Sequence, residues 1–188
     1  SVVGVVMYKN IEKEYKLLVS KEHFDHLLSF YKEAVFHEQT NTYFDNQNRT
    51  IEKMRGAMRI RKTTQYVFTL KVFQNQDLLE FECEVKDDSI SSLNTSEIVS
   101  LLDSYQIAYP FLETAKLTTK RAIIDTGYAE LCFDENHYSN ITDYEIEYEE
   151  KVEHEGKIAF NEILKKANLH YETNCNSKIK RALDAHRK

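Results

Sequence analysis

The chain has 188 residues, of which 41% are hydrophobic and 12% aromatic, so it carries enough apolar side chain to fill the core of one domain. Its formal net charge of −6 argues against a surface that binds duplex nucleic acid, because such a surface needs clustered cations. Only four glycines and one proline are present, which excludes a glycine-rich loop that wraps phosphates with backbone N–H groups. Any phosphate chain bound here must be held mainly by lysine and arginine side chains.

The cysteines and the apolar segments indicate the cellular compartment of the protein. Cys83, Cys132 and Cys175 are odd in number and lack the spacing of a metal site, which predicts reduced thiols in a cytoplasmic protein. The apolar run in SVVGVVMYKN (residues 1–10) is far too short to span a bilayer, and no other segment approaches that length. The sequence therefore predicts no association with membranes.

In chain order, hydrophobic periodicity predicts eight or nine strands with helices between groups of them. The predicted strands are residues 11–20, 40–46, 57–63, 66–73, 78–86, 115–125, 128–136 and 143–153. The predicted helices are residues 20–34, 96–105, 156–167 and 177–186, with Ser20 and Ser177 as N-caps. Short gaps at 63–65 and at Thr126-Gly127 predict hairpins. The expected fold is an α+β single domain over residues 1–188 with a large antiparallel sheet.

Charged residues recur at strand period throughout the chain. In IEKEYKLLVS (residues 11–20), Glu12, Glu14 and Lys16 share one face, because side chains alternate across a strand. Other strands carry polar faces of a single sign. The basic rows are Arg59 with Arg61, Thr69 with Lys71, and Thr119 with Arg121, and the acidic rows are Glu80 with Glu82 and Glu84, Glu130 with Asp134, and Glu145 with Glu147 and Glu149.

These rows have two interpretations. For any single strand, an exposed outer face is the simpler one. The set of strands as a whole fits an exposed outer face less well, because several polar faces carry charges of a single sign. Neighbouring like charges in a sheet repel one another unless an opposite charge lies among them. A closed sheet with its apolar faces under helices and its charged rows inward resolves this, since buried charges must be paired, metal-bound or ligand-bound. Carboxylates suit Mg²⁺ or Mn²⁺ and cations suit a polyanion, so the pattern points to a metal-bound polyphosphate.

The segment from Glu12 to Lys16, EKEYK, matches an ExExK motif, and further segments follow it in a recognisable order. These are TYFD, RIRK, TLK, a glutamate strand, TTKR, LCFD, DYEIEYE and SKIKR. Over residues 11–183 the chain resembles the CYTH, or triphosphate tunnel metalloenzyme, superfamily, and most of all its short bacterial stand-alone proteins. The resemblance implies an eight-stranded antiparallel β-barrel that forms a charged tunnel, with flanking helices.

The resemblance also implies roles for individual residues. Glu12, Glu14 and Lys16 would be catalytic. The metal ligands for Mg²⁺ or Mn²⁺ would be Glu12, Glu14, Glu145, Glu147 and Asp134. The residues that contact phosphates would be Lys16, Arg59, Arg61, Lys71, Arg121, Lys178 and Arg181. The roles of Glu80, Glu82 and Glu84 stay open, because no basic residue interrupts that row.

The activity implied is metal-dependent hydrolysis of a triphosphate, with inorganic triphosphate as the favoured substrate. The lack of a base-reading element or a glycine loop favours a small substrate over a nucleotide. Two alternatives stay open: a class IV adenylyl cyclase that makes cyclic AMP from ATP, and a non-catalytic polyphosphate- or nucleotide-binding module. The expected partner is a triphosphate-containing small molecule, with no duplex nucleic acid, no membrane, and a homodimer as one option.

Overall fold

The structure is a computed structural model that describes residues 6–188. The first half of the apolar run at residues 1–10, on which one of the membrane arguments rests, lies outside the described residues. No helix within the described range is both long and apolar enough to cross a membrane. The chain divides into two compact units, residues 6–12 with 40–116 and residues 13–39 with 117–188. The single domain expected from sequence therefore stays a prediction.

The described residues form nine strands and five α-helices. The strands are β1 (Tyr8–Glu12), β2 (Glu14–Val19), β3 (Phe36–Asn46), β4 (Ala57–Lys62), β5 (Tyr66–Gln74), β6 (Asp77–Val85), β7 (Phe111–Asp125), β8 (Ala129–Tyr138) and β9 (Ile141–Glu150). The helices are α1 (Lys21–Leu28), α2 (Thr50–Lys53), α3 (Ser96–Ser104), α4 (Gly156–Leu164) and α5 (Lys178–His186), and short 3₁₀ turns cover Ile90–Asn94 and Lys165–Ala167. The α+β class and the antiparallel pairing predicted from sequence are confirmed.

In the first unit the strands pair antiparallel in the order β1-β6-β5-β4-β3. One face of this sheet is apolar and packs against α3, through residues such as Ile60, Phe68 and Leu70 from the strands and Ile98 and Leu102 from the helix. All five are essentially inaccessible to solvent. The opposite face carries the rows that contain Arg59, Lys71 and Glu80.

In the second unit the order is β7-β8-β9-β2, again antiparallel. Its apolar face packs against α1 and α4, with Phe133 and Ile146 from the sheet meeting Phe24 and Phe160 from the helices. In both units, then, the helices cover the apolar face of the sheet and the charged rows occupy the other. This is the arrangement expected if the charged rows are not ordinary outer faces.

The strand predicted at residues 11–20 is two strands, which makes the described count nine: this lies within the eight or nine predicted from periodicity and is one more than the family resemblance implies. Lys13 interrupts it: β1 pairs with β6, whereas β2 pairs with β9. The carbonyl oxygen of Lys13 accepts a hydrogen bond from the backbone of Glu150 at 2.9 Å. Hydrophobic periodicity could not predict this break. It shows which face of the sheet a side chain lies on, but not which neighbouring strand the backbone forms hydrogen bonds with.

Other differences are local. Helix α1 ends at Leu28 and not near residue 34, and Ser29 Oγ donates to the carbonyl of His26 at 2.6 Å where the helix turns off. The predicted caps are confirmed, since Ser20 Oγ accepts from the N–H of His23 and Ser177 Oγ from that of Lys180. The short helix α2 was not predicted.

All three cysteines are free, as predicted. Burial raises the pKa of Cys132 to about 12 and the pKa of Cys83 to about 11, so neither thiol is readily ionised near neutral pH.

Candidate phosphate and metal site

Within the first unit, the charged face brings Glu12, Lys71 and Glu80 together. Lys71 Nζ lies 2.8 Å from Glu12 Oε2 and 3.8 Å from Glu80 Oε2. Lys71 stands opposite Glu80 in the β5–β6 register. Both glutamates are buried, and burial raises the pKa of Glu12 even though Lys71 acts to lower it. An ionised Glu12 is therefore incompletely compensated in this unit, and an additional cation would stabilise it.

Gly56, immediately before β4, allows the backbone to approach β5 closely at Lys71. A Cβ atom added to Gly56 would lie 2.5 Å from the carbonyl oxygen of Lys71. A larger residue would therefore push the strand that carries this lysine away.

Arg59 and Arg61 lie on the same charged face, two residues apart on β4. Arg59 is buried and stands opposite Tyr43 and Thr69 in the register of the neighbouring strands. Arg61 Nε donates a hydrogen bond to Asn41 Oδ1 at 2.8 Å. The strand pattern thus gathers two guanidinium groups beside Lys71's strand, a concentration of donors that suits phosphate oxygens.

In the second unit, Lys178 lies among three buried carboxylates. Its ammonium group donates to Glu147 Oε1 at 2.7 Å and lies 2.8 Å from Asp134 Oδ2 and 2.9 Å from Glu145 Oε1. Asp134 and Glu145 are fully buried and directly opposite each other on β8 and β9. The last helix therefore inserts a cation at the centre of an acidic row.

Two arginines complete this network. Arg121 binds Asp134 in a bidentate manner, with both N···O distances at 2.7 Å, and its Nη2 also reaches Glu147 at 3.3 Å. Arg181 donates to Glu145 at 2.8 Å and to Asp143 at 3.0 Å. Every one of these carboxylates has a cationic partner, as buried charges require.

The pKa values of the carboxylates around Lys178 are set by two opposing effects: burial raises them and the neighbouring cations lower them. Burial acts to raise the pKa of Asp134, but Lys178 and Arg121 outweigh it, and the pKa of Asp134 is lowered. The same two cations, together with Lys16, hold the pKa of Glu147 well below its usual range against the opposing effect of burial. For Glu145 burial prevails and the pKa is raised. Asp134 and Glu147 are thus held as carboxylates at neutral pH.

Glu14 and Lys16 belong to the second unit, on the edge strand β2. Lys16 Nζ lies 3.1 Å from Glu14 Oε1. Asn174 fixes their backbone, because its Oδ1 accepts from the N–H of Lys16 at 2.9 Å and its Nδ2 donates to the carbonyl of Glu14 at 3.2 Å. Glu14 stands opposite Glu149 in the β2–β9 register, and Glu149 opposite Glu130 on β8. Three carboxylates in one cross-strand row repel one another unless cations lie among them.

Every residue predicted for the site lies on a charged face or on α5. The first unit contributes Glu12, Arg59, Arg61 and Lys71, and the second contributes Glu14, Lys16, Arg121, Asp134, Glu145, Glu147, Lys178 and Arg181. Of the row left open, Glu80 contacts Lys71, whereas Glu82 and Glu84 stand opposite Thr69 and Val67.

Some polar residues of these faces were missed from sequence. Asp143 binds Arg181, and Asn136 donates to Asp143 at 2.9 Å while accepting from Thr119 at 2.6 Å. The same alternation that identified Glu145 and Glu147 would have found Asp143, and the row of Asp134 would have found Asn136. The contact between Asn41 and Arg61 had no sequence signal, because it depends on the β3–β4 register.

Both charged faces carry carboxylate oxygens of the kind that a hard divalent cation prefers. Asp134, Glu145 and Glu147 have carboxylate oxygens within 4.8 Å of one another, a spacing that could hold a metal ion. However, the Lys178 ammonium already lies within 2.9 Å of all three. Two carboxylate oxygens of these faces, Glu12 Oε2 and Glu145 Oε2, are buried and accept no hydrogen bond from the described residues, although Glu12 Oε2 lies 2.8 Å from Lys71 Nζ. An oxygen of this kind suits Mg²⁺ or Mn²⁺.

Comparisons with known proteins agree with this geometry. The chain is 32% identical over 170 residues to a Bacillus subtilis protein named "Putative triphosphatase YjbK", across 87% of this chain and 90% of that protein. A crystal structure described as "a putative adenylate cyclase" from Bacillus halodurans has a TM-score of 0.83 and 32% identity, covering 92% of this chain and 97% of that one. A Hippeastrum protein, "Putative adenylyl cyclase HpAC1", described with a dominant triphosphatase activity, has a TM-score of 0.74 and 25% identity, covering 93% and 96%.

The sequence profile of the CYTH domain matches residues 10–182. That range begins just before the ExExK motif and includes both charged faces and the start of α5, which carries Lys178 and Arg181. The chain belongs to the CYTH domain family.

Proposed function

We propose that this protein is a divalent-metal-dependent triphosphatase whose favoured substrate is inorganic triphosphate. The observation that carries the proposal is the pairing of buried or half-buried lysines and arginines with buried carboxylates on the charged face of each unit, as at Lys71 and Lys178. These cations are partly or fully desolvated and are held in place by counter-charges, so a polyanion can replace part of those contacts at low cost in reorganisation. The charged faces would line the tunnel that the family resemblance implies.

In this proposal Glu12 and Glu14 hold Mg²⁺ or Mn²⁺, with Glu147, Glu145 and Asp134 as further acidic groups of the site. The bound ion would neutralise charge on the transferring phosphoryl group and help to orient the attacking water. Lys16, beside Glu14, neutralises the phosphate oxygens nearest the metal. The remaining cations hold the chain in line for displacement: Arg59, Arg61, Lys71, Arg121, Lys178 and Arg181. Asp134 and Glu147 keep Arg121 and Lys178 in position.

The second candidate is a class IV adenylyl cyclase. The Bacillus halodurans protein is described as a putative adenylate cyclase and the Hippeastrum protein as a putative adenylyl cyclase, although the second is described with a dominant triphosphatase activity. The same groups would bind the triphosphate of ATP, and the 3′-hydroxyl would attack the α-phosphate with release of pyrophosphate. A third candidate is a polyphosphate-binding module without turnover. It differs from both enzymes in binding without product.

Glu12→Gln and Glu14→Gln test the hydrolase against the binding module. Each substitution removes a metal ligand and keeps the shape of the side chain, so we expect at least a hundredfold loss of phosphate release from tripolyphosphate. Glu162→Gln, on the exposed side of α4, is the control and should keep full activity. Calorimetric titration with tripolyphosphate accompanies each assay. Wild-type binding without any turnover would contradict the hydrolase.

The proposal extends to partners and location. The partner is a triphosphate-bearing small molecule and not duplex nucleic acid, in a cytoplasmic setting where the free cysteines stay reduced. A homodimer is one option for the assembly, and sedimentation analysis decides it.

A further inference from the structure

Asn41 on β3 makes one hydrogen bond that fixes the orientation of its amide group. It stands opposite Arg61 in the β3–β4 register, and Arg61 Nε donates to Asn41 Oδ1 at 2.8 Å. A guanidinium group can only donate, so the atom that faces Arg61 must be the amide oxygen. The Nδ2 donor therefore points away from that contact.

This amide nitrogen has no acceptor. Asn41 is fully buried, and its Nδ2 makes no hydrogen bond with any residue of the described part of the chain. Buried side-chain donors are rarely left in this condition, so each case calls for an explanation. The apolar layer under the helices lies on the other face of the sheet, and Asn41 shares its own face with Arg61 and Arg59. A ligand bound by those arginines would bring acceptor oxygens to this place.

We propose that Asn41 is a further substrate-binding residue, whose Nδ2 donates a hydrogen bond to an oxygen of the phosphate chain while its Oδ1 holds Arg61 for the same chain. This inference rests on the proposed function. Ionised phosphate oxygens are acceptors only, so a neutral amide adds a directed contact without adding charge to a face that already carries two arginines. Arg61 is only partly buried, and movement of its side chain would admit the ligand.

A double-mutant cycle separates the two roles. Asn41→Ala, Arg61→Ala and the double variant are compared with the wild type by KM for tripolyphosphate and by the rise in Tm that tripolyphosphate produces. If Nδ2 contacts the substrate, Asn41→Ala raises KM at least fivefold even when Arg61 is already alanine. A change of less than twofold in that background would overturn the proposal, because Asn41 would then act only through Arg61.

Asn41→Asp provides an independent test should the alanine variant fail to fold. It keeps the acceptor for Arg61 and replaces the donor by an oxygen, so the unliganded Tm should be equal or higher while KM rises more than tenfold. Asn48→Asp, an exposed change of the same charge, controls for net charge and should change KM less than twofold. An unchanged KM for Asn41→Asp would overturn the inference.

Failure of this inference can be told apart from failure of the proposed function. If the wild type neither binds nor hydrolyses tripolyphosphate, the proposed function itself fails. If the wild type hydrolyses tripolyphosphate and the Asn41 variants keep the wild-type KM, only the inference about Asn41 fails.

Discussion

Among single residues, Lys178 on α5 is a buried cation within an acidic cluster. Its ammonium group is buried with three carboxylates within 2.9 Å, and their negative charge raises its pKa well above the usual range despite the opposing effect of burial. The side chain occupies the position that a divalent cation would take in a site made of Asp134, Glu145 and Glu147. It acts as a built-in counter-ion for the acidic row.

Lys178→Met should therefore be strongly destabilising. Removing one partner of a buried ion network typically costs about 3–5 kcal/mol, because the remaining charges stay buried without compensation. Millimolar Mn²⁺ should recover part of the lost Tm, since the three carboxylates are then open to a metal ion. Thermal melts with and without Mn²⁺ measure both effects.

Lys180→Met is the matched control on the same helix. Lys180 pairs with Asp184 on the exposed side of α5, and such surface pairs contribute about 0–1 kcal/mol. An equal loss of Tm in the two variants, or no response of Lys178→Met to Mn²⁺, would contradict the counter-ion role.

At the scale of elements, helix α5 carries both Lys178 and Arg181 to the acidic row of β8 and β9. Ser177 begins it by accepting a hydrogen bond from the N–H of Lys180 at 3.3 Å. Ser20 caps α1 in the same manner, through the N–H of His23 at 3.1 Å, but α1 packs on the apolar face of its unit. Both N-caps are serine hydroxyls, but only the helix that follows Ser177 carries cationic side chains to the acidic row.

Ser177→Ala and Ser20→Ala should thus have similar effects on stability and different effects on activity. Loss of an N-cap costs about 1 kcal/mol in either helix. Only Ser177→Ala frays the turn that holds Lys178, so we expect its KM for tripolyphosphate to rise threefold or more while that of Ser20→Ala stays within twofold. Equal KM values for the two variants would contradict a role of α5 in substrate binding.

The elements also show what sequence could and could not predict. Charged alternation identified the faces of β4, β5, β8 and β9, because side-chain direction follows directly from period two. It missed α2, whose four residues are too few for a periodic signal. Asp45, near the end of β3, holds the first turn of that helix: its carboxylate accepts hydrogen bonds from the N–H groups of Ile51 and Glu52 at 3.0 Å each, six and seven residues further along the chain.

At the scale of the whole molecule, the ion network should shape stability in acid. The pKa of Asp134 and that of Glu147 are lowered from ordinary values of 3.8 and 4.5. Their stabilising contribution is therefore complete above about pH 4.5 and is lost as pH falls through the lowered folded values. Glu12 and Glu145, whose pKa values are raised, act in the opposite sense, since the folded state takes up their protons more readily than the unfolded state. Tm should therefore hold or rise slightly from pH 7 to 5 and fall steeply below pH 4.

Asp134→Asn provides the comparison for this pH dependence. It should lower Tm at pH 7, since Arg121 and Lys178 lose a charged partner, and it should flatten the fall below pH 4 because one of the protonating groups is gone. An acid transition as steep as that of the wild type would show that other carboxylates control it.

The charged residues of each strand face were easier to predict from sequence than the contacts between strands, for a physical reason. Residues such as Glu12, Arg59 and Arg121 are recognisable by type and spacing alone. Strand partners and the registers that join Asn41 to Arg61, or Lys178 to Glu147, depend on contacts between residues far apart in sequence, which no local pattern records. The enclosure of the charged faces within one tunnel stays a prediction.

The most direct test of the central proposal is product analysis with tripolyphosphate and with ATP, in Mg²⁺ or Mn²⁺ and again in excess EDTA. We predict that tripolyphosphate is converted to pyrophosphate and phosphate, that EDTA abolishes the reaction, and that ATP yields no cyclic AMP. Cyclic AMP and pyrophosphate as the main products from ATP, or no turnover of tripolyphosphate with either metal ion, would contradict it.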